Sequence, residues 1–377
     1  MKMRAAILTT CNAPQPFAKS KPIEIAEVEL DPPGEGEVLV KVGGAGLCHS
    51  DLSIVNGDRP RPVPLVPGHE GAGEIVEVGP GVHDVKPGDH MCFTFNVSCG
   101  RCRRCLEGRP YICERAIAPR AAGKLLSGSQ RLKLDGKPIN HASGVSCYAE
   151  YAVVDRGSVV VIDKSLPLDI AALFGCAVVT GVGAVINTAQ VKPGSTVAVV
   201  GLGGVGLSGL MGAALAGAGR IIAIDLSDEK LGLARQLGAT DTVNAKDADH
   251  VKQVHDLTNG GVDYAFDFAG TIKAMETAYL VTRWGGTTVS AGLAPIKADF
   301  AFKQSLLVTE EKTIKGSYMG SCVPVRDIPR FIDLYQRGKL PVDRMVSQRV
   351  GLDELNEGFD RLQAVTTVRQ LLVPHGG

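Results

Sequence analysis

The stretch Thr196-Val-Ala-Val-Val-Gly-Leu-Gly-Gly-Val-Gly206 decides the fold of this chain. A short β-type run leads into a glycine-rich turn, and a series of small residues with helical character follows. Gly201, Gly203 and Gly206 match the pattern G-x-G-x-x-G in its strand-to-helix setting. Glycines are needed there because the backbone must approach a pyrophosphate at the helix N-terminus. The stretch therefore predicts a dinucleotide-binding βαβ unit.

Asp225 follows Gly206 by nineteen residues and ends the next predicted strand. A carboxylate at this place accepts hydrogen bonds from both hydroxyls of an adenosine ribose and repels a 2′-phosphate. We therefore expect NAD rather than NADP. In the alternative interpretation, the glycines only form a turn and Asp225 caps the following helix.

The surrounding pattern predicts two domains of different class. Before residue 160, short β-type runs alternate with Gly and Pro, which is typical of an antiparallel, barrel-like domain. After residue 174, strands alternate with helices, which indicates a doubly wound parallel sheet. The predicted strands there are 196–200, 221–225, 262–268 and 287–291, and the predicted helices are 206–218 and 229–237. Near the C-terminus we predict helices at 328–337 and 352–363 and a last β-type run that rejoins the first domain.

Composition limits the partners of the chain. Its 377 residues are 45% hydrophobic, with 40 Lys plus Arg and 40 Asp plus Glu. Balanced charge without a basic run argues against nucleic acid or an anionic membrane as a partner and favours a small molecule. No signal peptide or long apolar segment is evident, so we expect a soluble, cytoplasmic protein. Its ten cysteines are then reduced thiols, and clustered ones are expected to bind metal.

Four cysteines form such a cluster. Cys99, Cys102, Cys105 and Cys113 follow the spacing C-x-x-C-x-x-C-x₇-C. Four thiolates with short spacers form a closed tetrahedral site that suits structural Zn²⁺. An iron–sulfur cluster and a nucleic-acid zinc module are the alternatives, but the cluster lies inside a long β-rich region rather than in a separate small module. We prefer structural zinc.

Over essentially its whole length the chain resembles the zinc-containing alcohol dehydrogenases of the medium-chain dehydrogenase/reductase superfamily. The resemblance rests on Gly68-His-Glu-Gly-Ala-Gly73, on Cys48 with Ser50 and Asp51, on the four-cysteine cluster, on Cys176 with Thr180 and Gly181, and on the glycine loop with Asp225. It implies a GroES-like catalytic domain, residues 1–177 and 318–377, with a structural zinc lobe at about 97–115. It further implies a Rossmann NAD-binding domain, residues 178–317, with the active site in the cleft between the domains.

The resemblance also assigns a second metal site. Cys48, His69 and Cys176 would bind one catalytic zinc and leave its fourth position open for substrate. Asp51 would orient the His69 ring, and Glu70 would lie behind the metal. Spacing alone does not gather these residues, and without the resemblance they read as buried thiols and a loop histidine. The implied reaction is the reversible, NAD-linked oxidation of primary alcohols to aldehydes, with one catalytic and one structural zinc per chain.

The resemblance assigns the proton path and the cofactor contacts as well. Ser50 would take the alcohol proton and pass it to the nicotinamide ribose. Many relatives have a histidine three residues later, where this chain has Ser53, so His49 is the candidate for the last transfer to solvent. The expected cofactor contacts are His49, Thr180, Gly201, Gly203, Gly204, Val205, Gly206, Asp225, Lys230 and Arg369.

Substrate and assembly follow from the same comparison of positions. The expected pocket residues are Phe95, Ala118, Ala142, Ser143, Leu293 and Tyr318. Three of these are small, which predicts room for aromatic or medium-chain alcohols. The main alternative is a glutathione-dependent formaldehyde dehydrogenase, which has an acid and an arginine where this chain has Arg59 and Ile117. A zinc-free quinone or enone reductase and a non-enzymatic zinc protein are further alternatives.

The long segment 114–141 resembles the dimeric branch of the family, so we expect a homodimer, with a tetramer as the alternative.

Overall fold

The structure is a computed structural model, and it describes residues 1–375. Its strands are β1 Lys2–Leu8, β2 Ile23–Leu30, β3 Glu37–Gly46, β4 Leu65–Val66, β5 Gly71–Val78, β6 His90–Phe93, β7 Leu132–Leu134, β8 Lys137–Pro138, β9 Asn140–His141, β10 Tyr151–Asp155, β11 Val159–Val161, β12 Thr196–Val200, β13 Arg220–Asp225, β14 Asp241–Asn244, β15 Val262–Asp267, β16 Thr282–Ser290, β17 Thr313–Gly316, β18 Val346–Val350 and β19 Arg369–Leu372.

The α-helices are α1 Phe17–Ser20, α2 His49–Val55, α3 Arg103–Leu106, α4 Ile117–Ala121, α5 Leu168–Ala172, α6 Ala177–Gly183, α7 Gly204–Leu215, α8 Asp228–Gln236, α9 His250–Thr258, α10 Ile272–Val281, α11 Gln304–Thr309, α12 Pro324–Gln336 and α13 Leu355–Gln363. Short 3₁₀ helices lie at Pro110–Ile112, Glu114–Ala116, Arg156–Ser158, Leu173–Gly175, Met319–Ser321, Val342–Met345 and Leu352–Glu354, and a π-helix lies at Ala184–Ala189.

The chain divides into two compact units. The first unit contains residues 1–176, 323–332 and 346–377, and the second contains 177–322 and 333–345. In the described part of the chain, no single helix is long and apolar enough to cross a membrane, although the consecutive helical segments Leu168–Gly175 and Ala177–Ala189 together would meet that length and composition.

The first unit is built on two β-sheets. One has the strand order β8-β7-β2-β1-β4-β9, and the other has the order β11-β6-β5-β3-β19-β18, with β10 also paired to β3. The long strand β3 is antiparallel to β5, β10 and β19, so it organises the second sheet. Val38, Val40 and Val42 on β3 alternate into the core, as the period-2 pattern requires. The pairing of β19 with β3 confirms that the last β-type run rejoins the first domain.

The second unit is a six-stranded parallel sheet in the order β14-β13-β12-β15-β16-β17. If these six strands are renumbered 1 to 6 along the chain, their order in the sheet is 3-2-1-4-5-6. This is the strand order of a dinucleotide-binding Rossmann domain. The glycine loop follows the central strand β12 and leads into α7. It therefore lies at the carboxyl edge where the strand order reverses, which is where such sheets bind nucleotides. The predicted α/β fold class is confirmed.

Several element boundaries differ from the predicted ones. Helix α7 ends at Leu215 rather than at 218, because Gly217 adopts a left-handed conformation (φ 76°) that stops the helix. The strand predicted at 287–291 begins earlier, at Thr282. Helices α9 and α10 connect the predicted strands and were not predicted.

Candidate active site

Three segments of the first unit bring the expected metal ligands together, and the third carries Cys176 directly after the 3₁₀ helix Leu173–Gly175. Strand β3 ends at Gly46, and Cys48 lies immediately before helix α2 in an extended conformation. His69 and Glu70 lie just before strand β5. A Cβ on Gly46 would lie 2.9 Å from the Glu70 carboxyl carbon, so glycine permits this close approach.

The ligand atoms of Cys48, His69, Glu70 and Cys176 all lie within 4.8 Å of one another, and all four residues are buried. The His69 Nε2 atom lies 3.4 Å from the Cys176 Sγ atom. A nitrogen and a sulfur that share a tetrahedral zinc ion are about 3.5 Å apart. Both the donor set and this spacing fit Zn²⁺, so the cluster is a candidate catalytic zinc site.

A buried hydrogen-bond network fixes the orientation of the His69 ring. Its Nδ1 atom lies 2.9 Å from Asp51 Oδ2, which leaves Nε2 facing the thiols. Asp51 also accepts hydrogen bonds from the Tyr148 hydroxyl at 3.0 Å and from the Gly68 N–H at 3.2 Å. We did not predict Tyr148, because nothing in its sequence context distinguishes it from a core aromatic residue.

Charges in the cluster are redistributed as a bound cation would require. The contact with Cys176 and the charge of His69 lower the pKa of the Cys48 thiol well below its ordinary value, although burial opposes this. Burial also opposes charge on His69, yet Asp51 and Cys48 raise the pKa of its ring to about 10. The buried cluster thus favours a thiolate on Cys48 beside a positive charge, which is the electrostatic environment of a metal-ligating thiolate.

Glu70 and Arg369 form a buried ion pair behind the cluster. Arg369 Nη2 donates to Glu70 Oε2, and Nη1 donates to the Leu47 carbonyl at 3.1 Å. The second carboxylate oxygen of Glu70, Oε1, has no hydrogen-bond partner among the described residues. One carboxylate oxygen of Glu70 also belongs to the group of candidate ligand atoms. The pair thus places one carboxylate oxygen at the metal cluster.

The sequence-predicted relay residues lie at the start of helix α2. His49 is exposed, and Ser50 is partly exposed. The Ser53 hydroxyl donates to the His49 carbonyl at 2.8 Å. Its hydroxyl hydrogen is therefore engaged within its own helix.

The other four cysteines form a second cluster in the lobe around α3. The Sγ atom of Cys102 lies 3.5 Å from that of Cys105 and 3.9 Å from that of Cys113, and Cys99 completes the group. Two thiolates on a tetrahedral zinc are about 3.8 Å apart. Backbone N–H groups lower the pKa of the Cys102 thiol to about 6, whereas burial raises the pKa of the Cys105 thiol to about 12 and also raises that of Cys113. The site therefore rests on the donor set and its spacing, with Cys102 the thiol most readily ionised. This cluster is a candidate structural zinc site.

The glycine loop and Asp225 meet in the second unit. Asp225 Oδ2 accepts a hydrogen bond from the Leu202 N–H at 2.6 Å, and Oδ1 accepts one from Ser227 at 2.9 Å. The side chain of Ser227 caps helix α8 by accepting from the Lys230 N–H. The alternative interpretation, that Asp225 caps this helix, is therefore wrong.

The remaining cofactor residues of the second unit lie near the same loop in sequence or in space. Lys230 is buried in α8, and burial lowers the pKa of its ammonium group. Thr180 lies in helix α6, which packs against α7. The next residue, Gly181, allows this contact, because a Cβ there would lie 2.2 Å from the Val205 carbonyl oxygen.

The expected pocket residues divide between the units. In the first unit, the Phe95 ring meets the His69 ring edge-on at 5.6 Å, Ala142 is buried, Ser143 is partly exposed and Ala118 is exposed. Leu293 and Tyr318 belong to the second unit, where Leu293 is exposed and Tyr318 partly exposed. Of these six residues, Phe95 thus has a direct contact with a candidate metal ligand.

Comparison with known proteins agrees with this geometry. The alcohol dehydrogenase GroES-like domain matches residues 34–164, and the zinc-binding dehydrogenase domain matches residues 204–337. The S-(hydroxymethyl)glutathione dehydrogenase of Paracoccus denitrificans is 39% identical over 99% of this chain and 100% of its own length.

Solved structures are similar over both units. The crystal structure of benzyl alcohol dehydrogenase from Acinetobacter calcoaceticus matches with a TM-score of 0.92 and 31% identity, over 99% of each chain. An alcohol dehydrogenase zinc-binding domain protein from Burkholderia ambifaria matches with a TM-score of 0.93 and 33% identity, over 100% of each chain.

The Rossmann sheet and the buried cysteine–histidine cluster define a zinc-binding dehydrogenase. More particularly, the chain belongs to the zinc-containing alcohol dehydrogenases of the medium-chain dehydrogenase/reductase superfamily.

Proposed function

We propose that this protein catalyses the reversible oxidation of a primary alcohol to an aldehyde with NAD. The observation that carries the proposal is the buried cluster of Cys48, His69 and Cys176, three donors that would hold a zinc ion and leave a fourth position, which either Glu70 or the substrate oxygen would take. When bound, zinc supplies a Lewis acid for the alcohol oxygen, and NAD supplies the hydride acceptor.

The chain's own residues prepare this reaction. Asp51 and Tyr148 hold the His69 ring so that Nε2 faces the thiols, while Glu70 and Arg369 support the ligand loops from behind. We propose that Ser50 takes the alcohol proton and that exposed His49 passes it to solvent, because the Ser53 hydroxyl already donates to a carbonyl. Phe95 contacts the His69 ring and would form an apolar wall for the substrate.

The cofactor proposal is supported by the glycine loop and Asp225. Gly201, Gly203, Gly204, Val205 and Gly206 would hold the pyrophosphate, together with Arg369 and His49. Asp225 and Lys230 would contact the adenosine ribose, and Thr180 and Val205 the nicotinamide. Arg369 would then serve two groups, because its guanidinium is already paired with Glu70.

Two alcohol substrates are supported by different observations. The relative in Paracoccus denitrificans acts on S-(hydroxymethyl)glutathione, and its 39% identity favours that adduct as the substrate here. The structural match to a benzyl alcohol dehydrogenase and the small side chains of Ala118, Ala142 and Ser143 support an aromatic alcohol instead. Arg59 and Ile117 occupy the positions where the glutathione-dependent class has an acid and an arginine, so peptide binding here would need other residues.

We also propose how the protein is organised. The two units would correspond to the predicted domains, 1–177 with 318–377 and 178–317, except that Ala177 and residues 318–322 and 333–345 belong to the second unit rather than to the first. Assembly as a homodimer is supported by large exposed apolar side chains in the second unit, whose sheet ends at the edge strand β17. All ten cysteines are thiols, which supports a reducing compartment such as the cytoplasm.

The two metal clusters should respond differently to the loss of a thiol. We expect Cys176→Ala to reduce bound zinc from two ions to about one per chain and to abolish NAD reduction while the fold is retained. Cys102→Ser should also remove one zinc, but mainly lower Tm, by about 5 °C or more, because the lobe has little apolar core of its own.

Metal analysis, calorimetry and an alcohol panel on the same preparations measure these effects. The panel contains ethanol, benzyl alcohol, and formaldehyde with glutathione. Cys92→Ala is the matched control, because Cys92 is a buried thiol of the same unit outside both clusters. Full activity of Cys176→Ala would refute the proposed mechanism.

A further inference from the structure

Asp267 is a buried acidic residue of the second unit that the proposed mechanism does not use. It is the last residue of strand β15, and it is 2% exposed. Its carboxylate accepts three hydrogen bonds, from the Ala269 N–H at 3.1 Å, the Gly270 N–H at 3.2 Å and the Ser290 hydroxyl at 2.9 Å. Burial raises the pKa of this carboxyl, and these neutral donors oppose the rise. Buried acids are usually paired with a cation, so an acid held by neutral donors indicates a specific role.

Asp267 joins two loops at the carboxyl edge of the parallel sheet. Its side chain holds the loop that follows its own strand, as described above. It also holds the end of the neighbouring strand β16, because Ser290 is the last residue of that strand. The backbone carbonyl of Asp267 accepts from the N–H groups of Ala291 and Gly292, at 3.0 Å each. One residue therefore fixes the loop after β15 and the loop after β16 relative to each other.

These two loops pack so closely that glycine is required at their contacts. A Cβ on Gly292 would lie 2.2 Å from the Gly270 nitrogen, and a Cβ on Gly270 would lie 2.8 Å from the Leu293 nitrogen. The loop after β15 also packs against the glycine loop, because a Cβ on Gly201 would lie 2.7 Å from the Ala269 Cβ. Since closely packed segments transmit displacements, a shift in one of these three loops would move the others.

The strand order indicates which half of the cofactor these loops would meet. A dinucleotide binds a Rossmann sheet across the point where the strand order reverses, with one mononucleotide on each half. Asp225 ends β13 and would mark the adenosine half. Strands β15 and β16 lie on the other side of the central strand β12, so their loops would meet the nicotinamide half. Ala269 and Leu293 are both exposed, so both loops are open to a ligand.

We propose that Asp267 is a positioning residue that holds these two loops in the shape that receives the nicotinamide half of the cofactor. It acts through its hydrogen bonds rather than through its charge. An asparagine can keep these bonds, because its oxygen accepts from the two N–H groups and its amide donates to the Ser290 hydroxyl. This inference rests on the proposed function, because it takes NAD as the ligand.

Binding of NADH and ADP-ribose tests the role of Asp267 without turnover. The two ligands share adenosine and pyrophosphate, but only NADH carries a nicotinamide ring. We expect Asp267→Ala to weaken NADH binding by about tenfold or more and ADP-ribose binding by less than about twofold, because several hydrogen bonds of the nicotinamide half are lost. Asp267→Asn should bind both ligands as the wild type does. Nicotinamide fluorescence measures NADH binding, and calorimetry measures ADP-ribose binding. Equal losses for both ligands, or no loss for NADH, would overturn the positioning role.

Two further variants control this experiment. Gly270→Ala leaves Asp267 in place but forces the two loops apart, so we expect the same selective loss of NADH affinity. This variant decides the case if Asp267→Ala does not fold. Asp263→Asn is the matched control, because Asp263 lies near the opposite end of β15, where it accepts from the Thr196 N–H. It should leave the ratio of NADH affinity to ADP-ribose affinity unchanged, and a changed ratio would contradict a role confined to the carboxyl edge.

Oxidised cofactor and turnover separate this inference from its rivals. If Asp267→Asn lost affinity for NAD⁺ but not for NADH, the carboxylate would act through its charge on the oxidised ring, and the positioning role would be wrong. A wild type that bound neither NADH nor ADP-ribose would refute the proposed function together with this inference. Alcohol oxidation by the wild type, with NADH affinity unchanged in both Asp267→Ala and Gly270→Ala, would refute this inference alone.

Discussion

At the scale of single residues, the carboxylate of Asp225 is expected to select the cofactor. Its negative charge would face the adenosine ribose and repel a 2′-phosphate. We predict that Asp225→Ser lowers the ratio of kcat/KM for NAD to that for NADP by about tenfold or more. Asp228→Ser is the control, because Asp228 is a nearby exposed acid at the start of α8. An unchanged ratio in Asp225→Ser would assign the cofactor preference to other residues.

His141 should make the fold sensitive to acid. Burial lowers the pKa of this ring from its ordinary 6.5 to about 4, while the charges of Glu37 and Arg131 act on it in opposite directions. Between these two values the unfolded chain binds a proton that the folded chain resists, so stability is full above pH 6.5 and is lost as the pH falls towards 4. We predict that the free energy of unfolding of His141→Gln falls less than that of the wild type over this pH range, by up to about 3 kcal/mol. Urea unfolding of both proteins across this pH range measures it.

The pH dependence of stability that Asp155 contributes should be opposite in direction to that of His141. Burial raises the pKa of its carboxyl from 3.8 to about 6. Here the folded chain binds the proton more tightly, so this group's contribution to stability is present below pH 3.8 and is lost as the pH rises to 6. The Leu126 N–H donates to Asp155, and an asparagine oxygen can still accept this bond. Asp155→Asn should therefore gain stability over the wild type as the pH rises, whereas His141→Gln gains it as the pH falls; parallel pH profiles would contradict both assignments.

Single residues also show how far sequence reasoning extends. The four-cysteine site could be predicted from spacing, because short spacers force Cys99 to Cys113 towards one centre. The distance along the chain from His69 to Cys176 is 107 residues, so only tertiary structure brings them together. The same reason explains why Tyr148 was missed and why the resemblance to a family was needed for the second site.

At the scale of elements, two glycines of the loop should have different roles, one in packing and one in cofactor binding. A Cβ on Gly206 would lie 1.8 Å from the Gly201 carbonyl oxygen, so Gly206→Ala must displace the start of α7. A Cβ on Gly203 would meet nothing within 4 Å, and its φ of −76° suits any residue. We predict that Gly206→Ala lowers Tm in the absence of cofactor. Gly203→Ala should leave Tm unchanged but weaken NAD binding, because its methyl group would project where the pyrophosphate approaches.

Calorimetry of the cofactor-free proteins and NAD titration test this pair of variants. If Gly203→Ala bound NAD as tightly as the wild type, the close-approach role of this glycine would be wrong.

Elements were also predicted unevenly in this unit. Strand β12 and helix α7 follow from the loop pattern itself, whereas α9 and α10 were not predicted, although Thr271 supplies an N-cap for α10. Their helical structure depends on packing against the parallel sheet.

At the scale of the whole molecule, the second unit has both large exposed apolar side chains and an open sheet edge. Trp284 and Ile296 are each 72% exposed, and Val308 is 65% exposed. Strand β17 ends the sheet, so one side of its backbone has no partner strand within the sheet. Large exposed apolar side chains in a unit whose sheet has an open edge indicate a protein partner, and a second copy of the chain could cover them with a symmetric, self-complementary contact.

The resulting prediction concerns the mass of the protein in solution. Wild-type protein should sediment as a dimer, and Val308→Glu should shift it towards the 39.5 kDa monomer, because a charge would be buried without a partner in the symmetric contact. Val325→Glu is the matched control, since Val325 is a valine of equal exposure, 65%, in the first unit. Sedimentation velocity over a range of protein concentrations distinguishes the two variants. Equal behaviour of both would place the dimer contact elsewhere, and a monomeric wild type would refute the homodimer itself.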